Sequence, residues 1–174
     1  VSMGTMKLEV PRKGKDALIT ADKLRADLNS EFFIHLQKNT DDVLAAAKSL
    51  GEKCTDSDLV KALVMEKLVS ALRTVAATKT LSDLNSKRKE FAQAVQEIVA
   101  EDLKHNGLTL ESVTVSHLDQ TPPDDMDGDR NTFDAEGLRT IEAIVQQNRV
   151  ERANIKFNSE RAIKAREVET AQQI

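Results

Sequence analysis

Residues 81–119 read LSDLNSKRKEFAQAVQEIVAEDLKHNGLTLESVTVSHLD, and a change of period inside them decides the fold class. As far as Lys104 the apolar residues recur at helical intervals: Phe91, Val95, Ile98 and Val99, with Leu103 one turn beyond. Thr80 stands where an N-cap belongs, ahead of Leu81-Ser82-Asp83-Leu84. Asn106-Gly107 is a helix stop, because glycine accepts the left-handed conformation without a Cβ clash. After Gly107 the period drops to two. Leu108 and Leu110 face one way and Val113 and Val115 the other, and a one-residue phase change within a strand calls for a bulge, placed at Glu111-Ser112. This strand must return to the sheet formed by the N-terminal strands or form a small one nearby.

Those N-terminal strands are legible from their alternation. Met6, Leu8 and Val10 alternate with Lys7 and Glu9 until Pro11, which cannot donate to a ladder. Lys13-Gly14-Lys15-Asp16 is turn-like, residues 17–20 form a short apolar run, and Ala21-Asp22 offers a reversal. From Leu24 the even positions are apolar with few exceptions (Leu24, Ala26, Leu28, Phe32, Ile34, Leu36), and the parity survives Asn29-Ser30. Residues 23–37 are therefore one long, locally bent strand, with one face on a core and Arg25, Asp27 and His35 on the other.

The segment between is helical. Thr40 is a candidate N-cap, with Asp41 and Asp42 in the first turn, where the helix dipole favours anions, and Gly51 as the stop. A second start lies at Asp56 or Ser57, followed by a stripe of Leu59, Leu63, Leu68, Leu72 and Val75 with Val60, Val64 and Val69 as neighbours. Together the pattern predicts an α+β fold, a small, mostly antiparallel sheet with packed helices, over residues 1–119.

Beyond it, residues 120–134 form an acidic Pro/Gly loop, and residues 135–174 contain no proline and only Gly137, near their start. Such a stretch reads as one extended helix, the start of a coiled coil. Its seam runs Leu138, Ile141, Val145, Asn148, Arg152, Ile155, Ser159 and Ala162 at 3–4 spacing, half of it polar. A helix of this kind buries too little alone and should pack on neighbouring copies or belong to a longer coil.

The composition narrows the function classes. Among 174 residues there are five Phe and no Tyr or Trp, so a base-stacking platform for single-stranded nucleic acid is not expected. The net charge of −4 argues against a polyanion binder. The one cysteine, Cys54, cannot form an internal disulfide or by itself support a zinc site, and it is read as an incidental thiol. Residues 1–6 lack the basic and apolar regions of a signal peptide, and no 18 consecutive apolar residues occur. A start at Val1 and an end at Ile174 inside a helical pattern suggest a piece of a longer protein, with room for a membrane anchor upstream.

Chemical motifs are sparse. In the loop Asp124-Asp125-Met126-Asp127-Gly128-Asp129, setting Gly128 at the sixth position of an EF-hand leaves Pro123 at the first and Asp134 at the twelfth, neither a proper ligand, so the loop is read as solvated. His35, His105 and His117 have no partner at ligand spacing, and Lys87-Arg88-Lys89, followed by Glu90, reads as a solvated helix face. No phosphate-cradling glycine loop or nucleophile elbow is present. No catalytic residue, cofactor or metal is expected, and the chain is read as non-enzymatic.

The order of segments nevertheless resembles a family. Residues 81–119 resemble the second half of the SPFH (band 7) domain of flotillins, where a short helix, a long helix, a glycine stop and a strand end in a similar "LDQT" (residues 118–121 here). "FDAEGL" at Phe133–Leu138, entering a charged helix, and "NSEFFIHLQ" at Asn29–Gln37 look like the same proteins, most closely the bacterial inner-membrane flotillins of YqiK type. One departure is the loop, where relatives often carry an aromatic, Asn-containing segment and this chain has residues 123–131. The resemblance implies a membrane-anchored scaffold at the cell inner membrane, with this domain on the cytoplasmic side. It further implies homo-oligomers formed through side contacts of the SPFH domain and through the C-terminal helix, and an NfeD-like membrane partner, with no nucleic acid involved. The alternative is a regulatory docking module for a membrane protease or another membrane protein.

Overall fold

A computed structural model describes residues 5–36, 40–51 and 57–172. The chain runs β1 (Met6–Arg12), a 3₁₀ turn (Gly14–Asp16), β2 (Leu18–Ile19), β3 (Arg25–Leu36), α1 (Thr40–Leu50), α2 (Ser57–Ala76), α3 (Leu81–Ser86), α4 (Arg88–Lys104), β4 (Leu108–Gln120), a second 3₁₀ turn (Pro123–Asp125) and α5 (Thr132–Gln172). This is the α+β arrangement read from the sequence. Gln37, Cys54, Asp56 and Ile174 lie outside the described residues.

Strand β3 is the spine of an antiparallel four-stranded sheet. β1 pairs with it from Met6↔Ile34 to Arg12↔Leu28, β2 continues along the same edge at Leu18↔Ala26, and β4 covers the other edge from Ala26↔Gln120 to Leu36↔Leu108. The closing strand thus returns to the first sheet. Two register shifts, between Asn29 and Ser30 and between Phe33 and Ile34, leave Ser116 and Glu111 of β4 as the extra residues. The bulge at Glu111 is the one its parity change requires. The second, at Ser116, restores the even phase and returns Leu118 to the core.

One face of the sheet is apolar and packs on the helices. Val10, Leu28, Phe32 and Ile34 meet Val64, Leu68 and Leu72 of α2 and Phe91, Val95, Val99 and Leu103 of α4 in one core. Thr80 caps α3 as expected, its hydroxyl accepting from the Asp83 N–H at 3.1 Å. The stripe on α2 differs from the expected one. Leu68, Leu72 and Val75 of that stripe are buried together with Val60 and Val64, whereas Leu63 is 37% exposed at the edge of the buried face, and the side chain of Leu59 lies outside the described residues. Gly107 adopts φ 67°, and a Cβ there would lie 2.1 Å from the Asp42 carbonyl oxygen, so α1 crosses directly over this stop.

On the opposite face Lys7 bridges Glu9 (2.9 Å) and Glu31 (3.0 Å), which face each other across β1 and β3. Hydrogen bonds to both carboxylates raise the Lys7 pKa above its ordinary value.

Candidate functional site

Helix α5 has two parts with different surroundings, and the division between them defines the site. Its start is set by Asn131, whose side-chain oxygen accepts from the Phe133 and Asp134 N–H groups at 3.0 and 3.4 Å and whose carbonyl accepts from Ala135. The helix consequently begins at Thr132, three residues before the proline-free stretch suggested. Its first turns lie on the hairpin end of the sheet, where Asp134 and Gly137 are buried and Leu138 and Ile141 half-buried.

The anchor is ionic. Arg25 was expected on the exposed face of its strand, but it is 7% exposed and Asp134 is 3% exposed, because the loop after β4 and the first turn of α5 close over this end of the sheet. The Arg25 Nε donates to Asp134 Oδ1, Nη2 donates to Oδ2 at 3.3 Å, and Nη1 donates to the Lys15 carbonyl at 3.0 Å. Asp134 Oδ2 also accepts from the Asp127 N–H at 3.1 Å. Burial alone would push the Asp134 carboxyl up. The hydrogen bonds from Arg25 and from the Asp127 backbone, with the guanidinium charge, outweigh it and hold the group below its ordinary value.

The acidic loop packs on the body at two of its residues. Met126 is buried, and Thr121 is buried with its hydroxyl donating to Asp27 Oδ1 at 2.5 Å. A shallow open groove of about 580 Å³ lies beside it, between Lys13, Lys15 and Asp27 on one side and Asp124, Asp125 and Asp127 on the other. Among the described residues no three His, Cys, Asp or Glu side chains gather as a metal site would need. His35 Nδ1 lies 3.8 Å from a Glu111 carboxylate oxygen, His105 sits 2.9 Å from the Glu101 carbonyl, and His117 is exposed on β4. Arg88 of the basic run donates to the Asn85 side chain at 2.7 Å. Cys54 lies outside the described residues.

Past Ile141 the surroundings of α5 change. From Glu142 to Val168 every residue is exposed. Of the seam residues, Leu138 and Ile141 are half-covered by the body, and Val145, Asn148, Arg152, Ile155 and Ala162 are exposed. Ile144, Val150, Phe157, Ile163 and Val168 are exposed too, each by about half or more. At 100° per residue Ile144 and Ile163 widen the seam, while Val150, Phe157 and Val168 lie on the other side of the helix. A search for one heptad seam passes over that second line, because its 7- and 11-residue intervals belong to a straight helix.

The described residues thus form a two-layer sheet-and-helix body that carries a helix exposed from Glu142 to Val168. The profile of the SPFH domain / Band 7 family matches residues 1–173, and the chain belongs to that family. Among curated relatives it is similar to the flotillin family inner membrane protein YqiK of Escherichia coli K12, 38% identical over 164 residues, 94% of this chain and 30% of that protein. It is also similar to the flotillin family inner membrane protein sll1021 of Synechocystis, 28% identical over 170 residues, 97% of this chain and 25% of that protein. The chain therefore spans less than a third of the length of either relative. Among the described residues no helix is long and apolar enough to cross a membrane.

Proposed function

We propose that this chain is the SPFH part of a non-enzymatic, membrane-associated scaffold that assembles with copies of itself, α5 supplying a contact that a neighbouring α5 completes. The observation that carries the reading is the exposure of Val145, Ile155 and Ile163 on one side of α5, with Val150, Phe157 and Val168 on the other, beyond the last residue the body covers. Helices with apolar lines along them gain most by packing on one another, and two lines allow each copy two neighbours. Both relatives carry "inner membrane protein" in their names, which supports the same address here through a membrane anchor outside this chain. A cytoplasmic orientation and an NfeD-like membrane partner accompany the proposal on family resemblance. Light scattering across a concentration series tests it. Association of the full-length protein that weakens when Val145 and Ile155 become serine supports the reading, and a full-length protein with one chain's mass at every concentration refutes it.

A second reading, a docking module for a membrane protease or other membrane protein, is favoured by Val43 and Leu44, which are 37% and 49% exposed on α1. Affinity capture with and without residues 142–174 separates the two, because docking on the body survives loss of the exposed part of α5 and assembly through it does not.

A further inference from the structure

The hairpin turn that joins β2 to β3 meets the start of α5 at three points. The Arg25 guanidinium holds Asp134 through two nitrogens. The Lys23 ammonium lies 5.4 Å from the centre of the Phe133 ring. The Lys23 carbonyl approaches Gly137 so closely that a Cβ there would sit 2.6 Å from it, and 2.9 Å from Met126 Cε. Lys23 itself adopts φ 61°, held by its N–H to the Thr20 carbonyl at 3.0 Å and by the Thr20 N–H to the Leu24 carbonyl at 2.9 Å. The same turn is tied to the helical layer, since the Asp22 carboxylate accepts from the Leu81 N–H at 3.2 Å and the Ala21 N–H donates to the Lys79 carbonyl at 2.9 Å. The turn is thus fixed to the body on one side and grips α5 on the other.

We propose that residues 20–25 form a rigid socket and that Arg25 and Asp134 are positioning residues, which set the direction in which the exposed part of α5 leaves the body. A paired guanidinium and carboxylate with two parallel bonds has a defined geometry, unlike an apolar contact, which can slide. The leverage is large. Residues 142–168 extend about 40 Å at 1.5 Å per residue, so a tilt of about 10° at the socket moves the far end by about 7 Å, most of the spacing between packed helices. The inference concerns a single chain and stands whether or not α5 meets a second copy.

The test is a pulsed electron–electron distance measurement on the chain with Cys54→Ser and nitroxides on cysteines introduced at Thr114 on β4 and Asn158 on α5. Labelled chain is diluted with unlabelled chain so that only intrachain distances contribute. A control pair at Thr114 and Glu97 reports on the body alone. With Asp134→Asn the 114–158 distribution should at least double in width while the 114–97 distribution stays unchanged. With Gly137→Ala, whose added Cβ would press on the Lys23 carbonyl and Met126 Cε, the mean 114–158 distance should shift, again with the control fixed. An unchanged 114–158 distribution in both variants overturns the proposal. So does equal broadening of both pairs in Asp134→Asn, which would make the ion pair a general fold contact and not a director of the helix.

Discussion

The Arg25 guanidinium, at the first position of β3, closes on the Asp134 carboxylate, at the third position of α5, and both residues are buried. Removing one partner leaves the other charge buried and unpaired, which costs about 3–5 kcal/mol. Arg25→Met should lower the unfolding free energy in urea by that amount, and the double change Arg25→Met with Asp134→Leu should lower it less. A loss below about 1 kcal/mol in the single variant would mean that water reaches the site.

The same pair predicts a pH signature. The folded pKa of Asp134 lies below 3.8, so its contribution is complete well above that value and is lost as the pH falls through the folded value. The stability gap between the parent and Asp134→Asn should stay constant between about pH 5 and pH 8 and narrow only in stronger acid. A gap that closes near neutral pH would contradict the assignment.

The crossing of α1 over Gly107 predicts a local effect. Gly107→Ala combines a left-handed backbone with a Cβ placed 2.1 Å from the Asp42 carbonyl oxygen, so α1 must move. Amide exchange in residues 40–50 should accelerate while the amides of β3 and α4 keep their protection, with a stability loss above about 1 kcal/mol. Unchanged exchange in α1 would show that the helix is not seated there.

On α2, Leu68 is fully buried and Leu63 is 37% exposed. Leu68→Ala should cost about 2–5 kcal/mol, and Leu63→Ala should stay within about 0.5 kcal/mol. Equal losses at the two positions would place the helix in a different rotation.

This contrast marks where the sequence is ambiguous. An α2 with leucines and valines on most sides does not reveal which row faces the sheet, whereas β3, whose apolar residues all stand at even positions except Phe33, fixes its own orientation. The parity change after Leu110 revealed one bulge, but the return at Leu118 was a single residue among polar neighbours and carried no comparable signal. Arg25 illustrates the same limit, because its burial depends on a helix 109 positions away. In α5 the 3–4 spacing singles out Val145 and Ile155, which are exposed, and passes over Phe157 and Val168 on the other side, since a heptad template omits them. The family resemblance added what local patterns lacked, namely the order of the segments.

The central claim is that α5 completes itself on a neighbouring copy. It is tested most directly by multi-angle light scattering on the natural full-length protein in detergent, compared with the same protein carrying Val145→Ser and Ile155→Ser. The account predicts a mass of many chains that falls sharply on substitution, while the circular dichroism spectrum of the folded body is retained. A mass of one chain for the unsubstituted protein, or a multimeric mass that the two serines leave unchanged, would contradict it.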